Sequence, residues 1–216
     1  MSTATSTDTP VRPAAGADDR LAYFESLYGG SDDPYGLRTR WYEERKRALL
    51  LAALPHRRYA RVYEPGCGAG ELTVALAARC DRVLASDFSP QARASAQART
   101  AGLPNVRIAA HALPQDFPHA EGPFDLVVVS ELGYFLTDNA MQTLARCCAD
   151  ALSADGVLVA CNWRPDFEAR VLSTDAVHRA FAATGLARTV AHTEGDFVLD
   201  VWCRDARSVA QREGIR

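Results

Sequence analysis

Three glycines at alternating positions, Gly66, Gly68 and Gly70, are the first residues of this sequence that could hold a ligand. A strand-like run precedes them and an amphipathic helical stretch follows. Glycine permits positive φ angles and lets a ligand approach the backbone, and the amides at the start of a helix face the same place. Asp87 lies 21 residues after Gly66, close to the separation at which an acidic side chain meets a ribose diol. The pattern therefore predicts a site for a nucleoside-containing ligand.

The spacing of these glycines separates two classes of cofactor. A dinucleotide-binding loop follows the pattern G-x-G-x-x-G/A, which would place Gly or Ala at position 71. The residue there is Glu71, and the third glycine comes one position earlier. The loop therefore disfavours an NAD-type oxidoreductase, which stays one alternative.

The segment Glu64-Pro65-Gly66-Cys67-Gly68-Ala69-Gly70 resembles the first motif, E/D-x-G-x-G-x-G, of the class I S-adenosylmethionine-dependent methyltransferases. It matches that motif at every fixed position. The resemblance implies that the loop wraps the methionine end of the cofactor and that the acid after the second strand holds the ribose hydroxyls. The cofactor-binding residues implied in this way are Glu64, Gly66, Cys67, Gly68, Gly70, Asp87 and, against the adenine face, Phe88.

His111 stands where many members of that family have the acid that reaches the adenine amino group. A neighbouring backbone amide could still recognise adenine, so His111, Ala112 and Leu113 remain expected cofactor contacts. His111 could also be a simple loop histidine or, less favoured, a proton acceptor, which makes it a candidate catalytic residue.

The run Phe124–Ser130 has an aliphatic centre, which is typical of a strand buried on both faces of a sheet. Ligands of open α/β sheets bind beyond the carboxyl ends of the strands, so the residues after this run belong to the site. We expect Ser130 to contact the cofactor, Glu131 and Tyr134 to be catalytic, and both of these with Phe135 to contact the substrate. A carboxylate beside aromatic rings suits an amine-bearing substrate, to which cation–π attraction contributes about 0.5–2 kcal/mol.

The same region argues against several other substrates. Enzymes that methylate base amines carry N/D-P-P-Y/F after the fourth strand, and this chain does not. Metal-dependent catechol-type enzymes need an Asp-Asn pair after strand five, which here ends Cys161-Asn162-Trp163, so we expect no metal. Arginine methyltransferases have a second Glu near position 140, which is Ala140 here. We expect Trp163 to contact the substrate.

The resemblance narrows to the NodS-type N-methyltransferases over residues 23–204. These enzymes methylate the amine of a de-N-acetylated glucosamine at the end of a chitooligosaccharide. The resemblance therefore implies an S-adenosylmethionine-dependent N-methyltransferase for a small-molecule amine, either an amino sugar or a natural-product intermediate. The segments that carry it are Ser130-Glu131-x-x-Tyr134-Phe135-Leu136, Asp33-Pro34-Tyr35 and Trp41-Tyr42-Glu43-Glu44-Arg45-Lys46.

An aromatic-rich segment precedes the first predicted strand and is expected to form a lid over the site. We expect Arg38 to pair with the methionine carboxylate, Trp41 to contact the cofactor and Tyr28 to contact the substrate. Lids of this kind exclude water and complete a site on closure. The aromatic residues of the segment are Tyr23, Phe24, Tyr28, Tyr35, Trp41 and Tyr42.

Strand-like and helix-like runs alternate from residue 61 onward. This alternation predicts an α/β fold: a Rossmann-like, seven-stranded, mostly parallel sheet with an antiparallel edge strand, helices on both faces and an N-terminal helical lid. The predicted strands are 61–64, 82–86, 105–110, 124–130, 157–162, 187–193 and 196–203, and the main helices are 20–28, 37–54, 70–79, 90–101, 138–152 and 174–184. The predicted divisions are a disordered tail at 1–19, the lid at 20–56, the methyltransferase domain at 57–205 and a C-terminal tail at 206–216.

The composition of the 216 residues fits a packed domain with a net charge of −3, which gives no strong attraction to nucleic acid or anionic lipid. The N-terminal stretch lacks the features of a signal peptide, and the aliphatic runs are too short to span a bilayer. Six cysteines without a C-x-x-C pair predict reduced thiols in a cytoplasmic protein. We expect a monomer or homodimer. We attribute the imbalance of 23 arginines to one lysine, Lys46, to codon usage.

Two further alternatives use the same scaffold. One is O-methylation or guanidino-N-methylation of a small metabolite. The other is a non-catalytic module that keeps the pocket, against which the presence of Glu131 and Tyr134 argues.

Overall fold

The computed structural model describes residues 17–31 and 33–216, so the tail predicted for 1–19 lies almost wholly outside the described residues. The first helix, α1, spans Ala17–Gly30 and takes in the last three residues of that predicted tail. Every helix of the described residues is too short or too polar to cross a membrane. The remaining helices are α2 (Trp41–Ala53), α3 (Glu71–Ala77), α4 (Pro90–Thr100), α5 (Asp138–Asp150), α6 (Thr174–Ala182) and α7 (Val209–Arg212).

Seven strands form one sheet in the order β3-β2-β1-β4-β5-β7-β6. The strands β1 to β5 run parallel to their neighbours, whereas β7 is antiparallel both to β5 and to the edge strand β6. This arrangement confirms the predicted fold class and adds that the antiparallel strand lies next to last in the sheet. The bounds are β1 (Tyr59–Pro65), β2 (Cys80–Asp87), β3 (Val106–Ala110), β4 (Phe124–Ser130), β5 (Leu152–Trp163), β6 (Ala187–Thr193) and β7 (Phe197–Cys203).

The strand order reverses between β1 and β4, which pair through Val62 with Leu126 and Tyr63 with Val127. The chain winds outward from this point in both directions. Such a reversal opens a crevice at the carboxyl ends of the two central strands, where ligands of α/β sheets bind. The glycine loop after β1 and Glu131 after β4 therefore meet at the same edge of the sheet.

Both faces of the sheet are covered. Leu126 and Val128 of β4 belong to one buried cluster and Val127 and Val129 to the other, because alternate side chains of a strand point to opposite faces. All four are fully buried. The uninterrupted aliphatic run in β4 thus reflects its central place in the sheet.

Local sequence signals explain where several helices begin. The side chains of Ser89, Thr137 and Ser173 each accept a backbone N–H at the start of α4, α5 and α6. A capping box between Ser208 and Gln211 caps the start of the short α7. This helix lies inside the segment 206–216, where we predicted only a tail.

Candidate active site

The glycine loop folds back over the end of β2. Gly66, Gly68 and Gly70 all have positive φ, at 70°, 53° and 85°. The Cys67 N–H donates to the carbonyl oxygen of Ser86 at 2.9 Å, and the Gly68 N–H donates to Asp87 Oδ2 at 3.0 Å. The loop is therefore tied to the carboxyl end of the neighbouring strand.

Gly68 is the point at which α1 approaches the loop. A Cβ added to Gly68 would lie 2.7 Å from the Tyr28 hydroxyl. This is closer than real Cβ contacts come, and the φ of 53° would strain any side chain as well. Only glycine gives the backbone here without moving Tyr28.

Asp87 is held from two sides at the end of β2. Its Oδ1 accepts the Ser89 N–H and its Oδ2 the Gly68 N–H, both at 3.0 Å. Burial raises the pKa of Asp87, and these two hydrogen bonds oppose that rise. The carboxylate is thus fixed beside the glycine loop, and its ribose-binding role stays a prediction.

A cavity of about 870 Å³ runs from the glycine loop to the ends of β4 and β5 beneath α1 and α2. This volume lies within the range of about 300–1,000 Å³ that small-molecule sites occupy. Most of the predicted site residues line its wall: Tyr28, Glu64, Gly66, Cys67, Gly68, Asp87, Phe88, His111, Ala112, Leu113, Ser130, Glu131, Tyr134, Phe135 and Trp163.

Three predicted cofactor contacts do not line this cavity. The Arg38 Nε donates to Glu71 Oε1 at 2.8 Å, so its guanidinium is drawn toward α3. Trp41 begins α2 with its side chain in solvent and is 70% exposed. Gly70 packs against α4, where an added Cβ would lie 3.1 Å from the Ala96 Cα. Gly70 therefore shapes the loop from behind.

Glu131 follows β4 directly and is the only non-glycine residue with a positive φ, 54°, in the described part of the chain. Its Oε1 accepts from Lys46 Nζ at 2.7 Å. Its Oε2 accepts from the Tyr134 hydroxyl at 2.6 Å and from the Trp163 N–H at 2.9 Å. Backbone conformations of this kind cluster at functional sites and persist where surrounding contacts hold them. Three donors from three segments hold this carboxylate toward the cavity.

Lys46, to which we assigned no role from the sequence, is part of this site. Its side chain is buried at 6% exposure, and its Nζ also pairs with Glu43 Oε2 at 3.0 Å. Burial lowers the pKa of Lys46, but the carboxylates of Glu131 and Glu43 outweigh burial and raise it above the ordinary value. The ammonium therefore stays charged. Its rarity in an arginine-rich chain, which we attributed to codon usage, is the signal that could have found it.

Tyr42 is a second wall residue that we had placed only in the lid. Its ring meets Trp163 edge to face at a centroid distance of 5.6 Å. Its hydroxyl is buried and has no hydrogen-bond partner among the described residues. A buried hydroxyl without a partner is costly, so Tyr42 carries an unpaired polar atom beside the wall of the cavity.

The opposite end of the cavity contains His111 and Asp116. His111 Nδ1 lies 3.1 Å from the Tyr63 hydroxyl, and burial lowers the pKa of His111. The Ala112 N–H, which we considered as an adenine contact, instead donates to Asp116 Oδ2 at 2.9 Å. Asp116 also borders the cavity, so an acid is present close to position 111, where the sequence has histidine. Sequence reasoning missed it because it lies five residues further on, in an irregular loop.

Aromatic contacts join α1, part of the predicted lid, to the segments that follow β2 and β4. The Phe24 ring meets Phe88 at 5.6 Å and Phe135 at 4.9 Å, both edge to face. Arg20 donates from Nη1 to the carbonyl oxygen of Phe135 at 3.1 Å. Through these contacts α1 covers both the loop after β2 and the segment after β4.

A bidentate ion pair anchors α2 over the site. Arg45 donates from Nη1 and Nη2 to the two carboxylate oxygens of Glu194 at 2.8 and 2.7 Å. Glu194 lies in the turn between β6 and β7, and Asp196 of the same turn lines the cavity. The pair therefore links α2, which carries Tyr42 and Lys46, to the turn between β6 and β7.

Glu64 is a buried carboxyl at the start of the loop, and its protonation is coupled to stability. It is 3% exposed and accepts from Thr73 Oγ1 at 2.6 Å, and burial raises its pKa to about 8. The folded chain therefore binds this proton more tightly than the unfolded chain does. Stability from this group is fully present below the ordinary pKa near 4.5 and is lost as pH rises through about 8.

We expect Glu64→Gln to become progressively more stable than the wild type between pH 6 and pH 9, because the amide carries no charge. The gain in Tm at pH 9 should reach at least about 3 °C, which for a chain of this size corresponds to about 1 kcal/mol. Thermal unfolding across this pH range measures it, with the exposed Glu213→Gln as control. A difference in Tm that does not change with pH would contradict this account of Glu64.

Comparisons with known proteins agree with this geometry. A sequence family described as "Methyltransferase domain" matches residues 62–156. Among solved structures, a Pseudomonas syringae protein assigned to the methyltransferases is 45% identical to this chain. That alignment covers 76% of this chain and 99% of the other, with a TM-score of 0.68.

NodS proteins are also similar. The N-methyltransferase NodS from Bradyrhizobium japonicum WM9, solved with S-adenosyl-L-homocysteine, is 27% identical over 85% of this chain and 97% of its own, with a TM-score of 0.76. Nodulation protein S of Bradyrhizobium diazoefficiens is 33% identical over 59% of this chain and 61% of its own length, so the match spans less than two thirds of that relative. The chain therefore belongs to the class I S-adenosylmethionine-dependent methyltransferases and is NodS-like, which confirms the family that its glycine loop and the segment after β4 predict.

Proposed function

We propose that this enzyme transfers the methyl group of S-adenosylmethionine to an amine nitrogen of a small molecule. The observation that carries the proposal is the position of Glu131. Its carboxylate stands at the carboxyl end of β4 and borders the same cavity as the glycine loop. The printed name of the similar NodS structure, an N-methyltransferase, supports nitrogen as the acceptor.

The residues around the glycine loop fit the cofactor. Glycines with positive φ leave a cradle that a Cβ at Gly68 would fill, and the Asp87 carboxylate is fixed beside it. Glu64, Gly66, Cys67 and Gly68 would hold the methionine part, Asp87 the ribose, and Phe88 with His111 and Asp116 the adenine. S-adenosylmethionine, when bound, supplies a methyl group that is already activated on a sulfonium centre.

The protein then has to align an amine with that methyl group, which is where most of the rate enhancement arises in such reactions. A carboxylate offers about four lone-pair sites. Three sites on Glu131 are taken by Lys46, Tyr134 and Trp163, which leaves one on Oε1 for an N–H of the acceptor. Burial raises the pKa of Tyr134 well above its ordinary value, so its hydroxyl stays protonated and continues to donate.

The acceptor nitrogen gives up one proton as the new N–C bond forms and the S–C bond breaks. Among the described residues, Glu131 and Glu43 are the carboxylates nearest to that nitrogen in the proposed pose, and either can receive the proton or pass it to water. The contact of α1 with Phe88 and Phe135 covers one side of the cavity, and covers of this kind serve to exclude water.

The acceptor end of the cavity is acidic and aromatic. Glu43, Glu131 and Asp196 border it, together with the rings of Tyr42 and Trp163. An amine with further polar groups matches this lining, and the likeness to NodS makes an amino sugar the acceptor we propose first. A natural-product amine is the alternative.

A panel assay tests the proposal. The wild-type protein is incubated with S-adenosylmethionine carrying a labelled methyl group and with glucosamine, a chitobiose bearing one free amine, ethanolamine, guanidinoacetate or catechol. We expect labelled N-methyl product from at least one primary amine and less than a tenth of that rate from guanidinoacetate and catechol. Labelling of catechol or guanidinoacetate alone would replace the proposal with O- or guanidino-methylation.

A further inference from the structure

In the function proposed above, Lys46 serves only as a partner of Glu131. Its position also lets its charge act on the acceptor amine. Its Nζ lies 2.7 Å from Glu131 Oε1 and 3.0 Å from Glu43 Oε2. We propose that Lys46 is a positioning residue whose positive charge keeps the bound acceptor amine unprotonated, and therefore reactive, near neutral pH. This inference rests on the proposed amine methylation.

An amine-binding carboxylate creates a chemical conflict. The negative charge that attracts an amine also stabilises its ammonium form, in which the nitrogen lone pair is occupied and cannot attack a methyl group. A site with Glu43 and Glu131 alone would carry two negative charges and hold the acceptor as an ammonium ion. With Lys46 between them, the three groups together carry one negative charge.

The geometry places Lys46 close enough to act on the acceptor. An acceptor nitrogen bonded to the free site on Glu131 would share the carboxylate oxygen with Lys46 Nζ, so the two nitrogens would lie about 4–6 Å apart, the range in which a neighbouring charge shifts a pKa. A positive charge at that distance lowers the pKa of the acceptor ammonium. The carboxylates then attract the acceptor amine without holding it in its ammonium form.

Other groups facing Lys46 do not supply this charge. Tyr42 from α2 and Cys161 from β5 have their pKa values raised by burial and stay neutral, as does Tyr134. Asp196, from the turn between β6 and β7, borders the same cavity and adds negative charge. Lys46 is therefore the cation that counters these acids.

The arginines nearby are not substitutes. Arg40 and Arg47 border the cavity, but in the described residues neither pairs with Glu43 or Glu131. Arg47 instead donates from Nη1 to the carbonyl oxygen of Leu37 at 2.7 Å. The only lysine of the chain is thus the only cation in contact with either carboxylate among the residues described.

The test is the pH dependence of kcat from pH 6 to pH 10 at saturating S-adenosylmethionine, with the fastest amine of the panel. For Lys46→Met we expect the rising limb of the pH profile of kcat to move about one pH unit to the alkaline side. This shift lowers kcat about tenfold near pH 7, and most of the rate is regained at high pH. Lys46→Arg keeps the charge and should keep the wild-type limb. Glu43→Gln removes a negative charge and should move the limb to the acid side.

Opposite shifts from Lys46→Met and Glu43→Gln are the signature of electrostatic control, because loss of structure lowers the rate at every pH alike. A Met variant with a uniformly lower rate and an unmoved limb would overturn the inference. If that variant fails to fold, as judged by circular dichroism, an unmoved limb in Glu43→Gln overturns it instead. Failure of the underlying function would be visible separately, since the wild type would then label no amine.

Discussion

Replacing Glu131 by Gln lowers kcat for methyl transfer by about 10²–10⁴-fold, the range that a positioned acid or base contributes. The affinity for S-adenosylhomocysteine should stay within a few-fold of the wild type. The amide keeps the size of the side chain but loses its charge. It also presents N–H groups to a shell in which Lys46, Tyr134 and the Trp163 amide are all donors. The acceptor would then lose its alignment while the glycine loop, on the other side of the cavity, is unchanged.

Initial rates with labelled S-adenosylmethionine and calorimetry with S-adenosylhomocysteine measure the two quantities separately. Glu44→Gln is the matched control, because Glu44 lies on the exposed face of α2. It should leave both quantities at wild-type values. Equal losses of rate and affinity in Glu131→Gln would instead assign Glu131 to cofactor binding.

Replacing Gly68 by Ala weakens binding of S-adenosylhomocysteine by about 10–100-fold, which corresponds to about 1.4–2.7 kcal/mol. Two effects combine. An alanine at φ 53° is strained, and its Cβ would lie 2.7 Å from the Tyr28 hydroxyl. The strain alone costs about 1–2 kcal/mol. Relief of the clash pushes α1 away from the loop or turns the Gly68 N–H away from Asp87.

A double variant separates the two effects. Tyr28→Phe removes the atom that clashes, so Gly68→Ala with Tyr28→Phe should recover part of the lost affinity. Gly102→Ala is the control, since a Cβ there meets nothing within 4 Å and its φ is ordinary. Calorimetry of the four proteins completes the cycle. Wild-type affinity in Gly68→Ala would show that the loop does not cradle the cofactor.

The sheet, the glycine loop after β1 and the segment after β4 could be predicted from the sequence because all three depend on local patterns. Runs of aliphatic residues marked β4 as buried on both faces, and the parallel arrangement placed Glu131 at the same edge as the glycine loop. The spacing of three glycines argued against a dinucleotide, and the resemblance of that segment to a known family motif implied the type of cofactor. These features need no knowledge of which distant residues meet.

The residues that sequence reasoning missed depend on tertiary contacts. Lys46 and Tyr42 line the cavity on α2, and Arg45 of the same helix binds Glu194, a residue 149 positions away. No local pattern reveals that pairing. Trp41 was expected at the cofactor from its residue type, but as the first residue of α2 it faces solvent.

Arg38 shows the same limit for a charged residue. We predicted that it would pair with the cofactor carboxylate, whereas Glu71 at the start of α3 takes its Nε, and Glu71 also pairs with Arg99 at 2.8 Å. Glu71, the residue that argued against a dinucleotide-binding loop, thus binds Arg38 of the predicted lid segment. That contact crosses from the segment before α2 to α3 and cannot be read from either stretch alone.

A crystal structure of the protein with S-adenosylhomocysteine and the fastest amine of the panel would test the central claim most directly. We predict a cofactor sulfur that points toward the end of β4, with the amine nitrogen in the space beyond it and bonded to the carboxylate after that strand. A nitrogen seated away from that carboxylate, or a sulfur turned toward the opposite end of the cavity, would contradict the account.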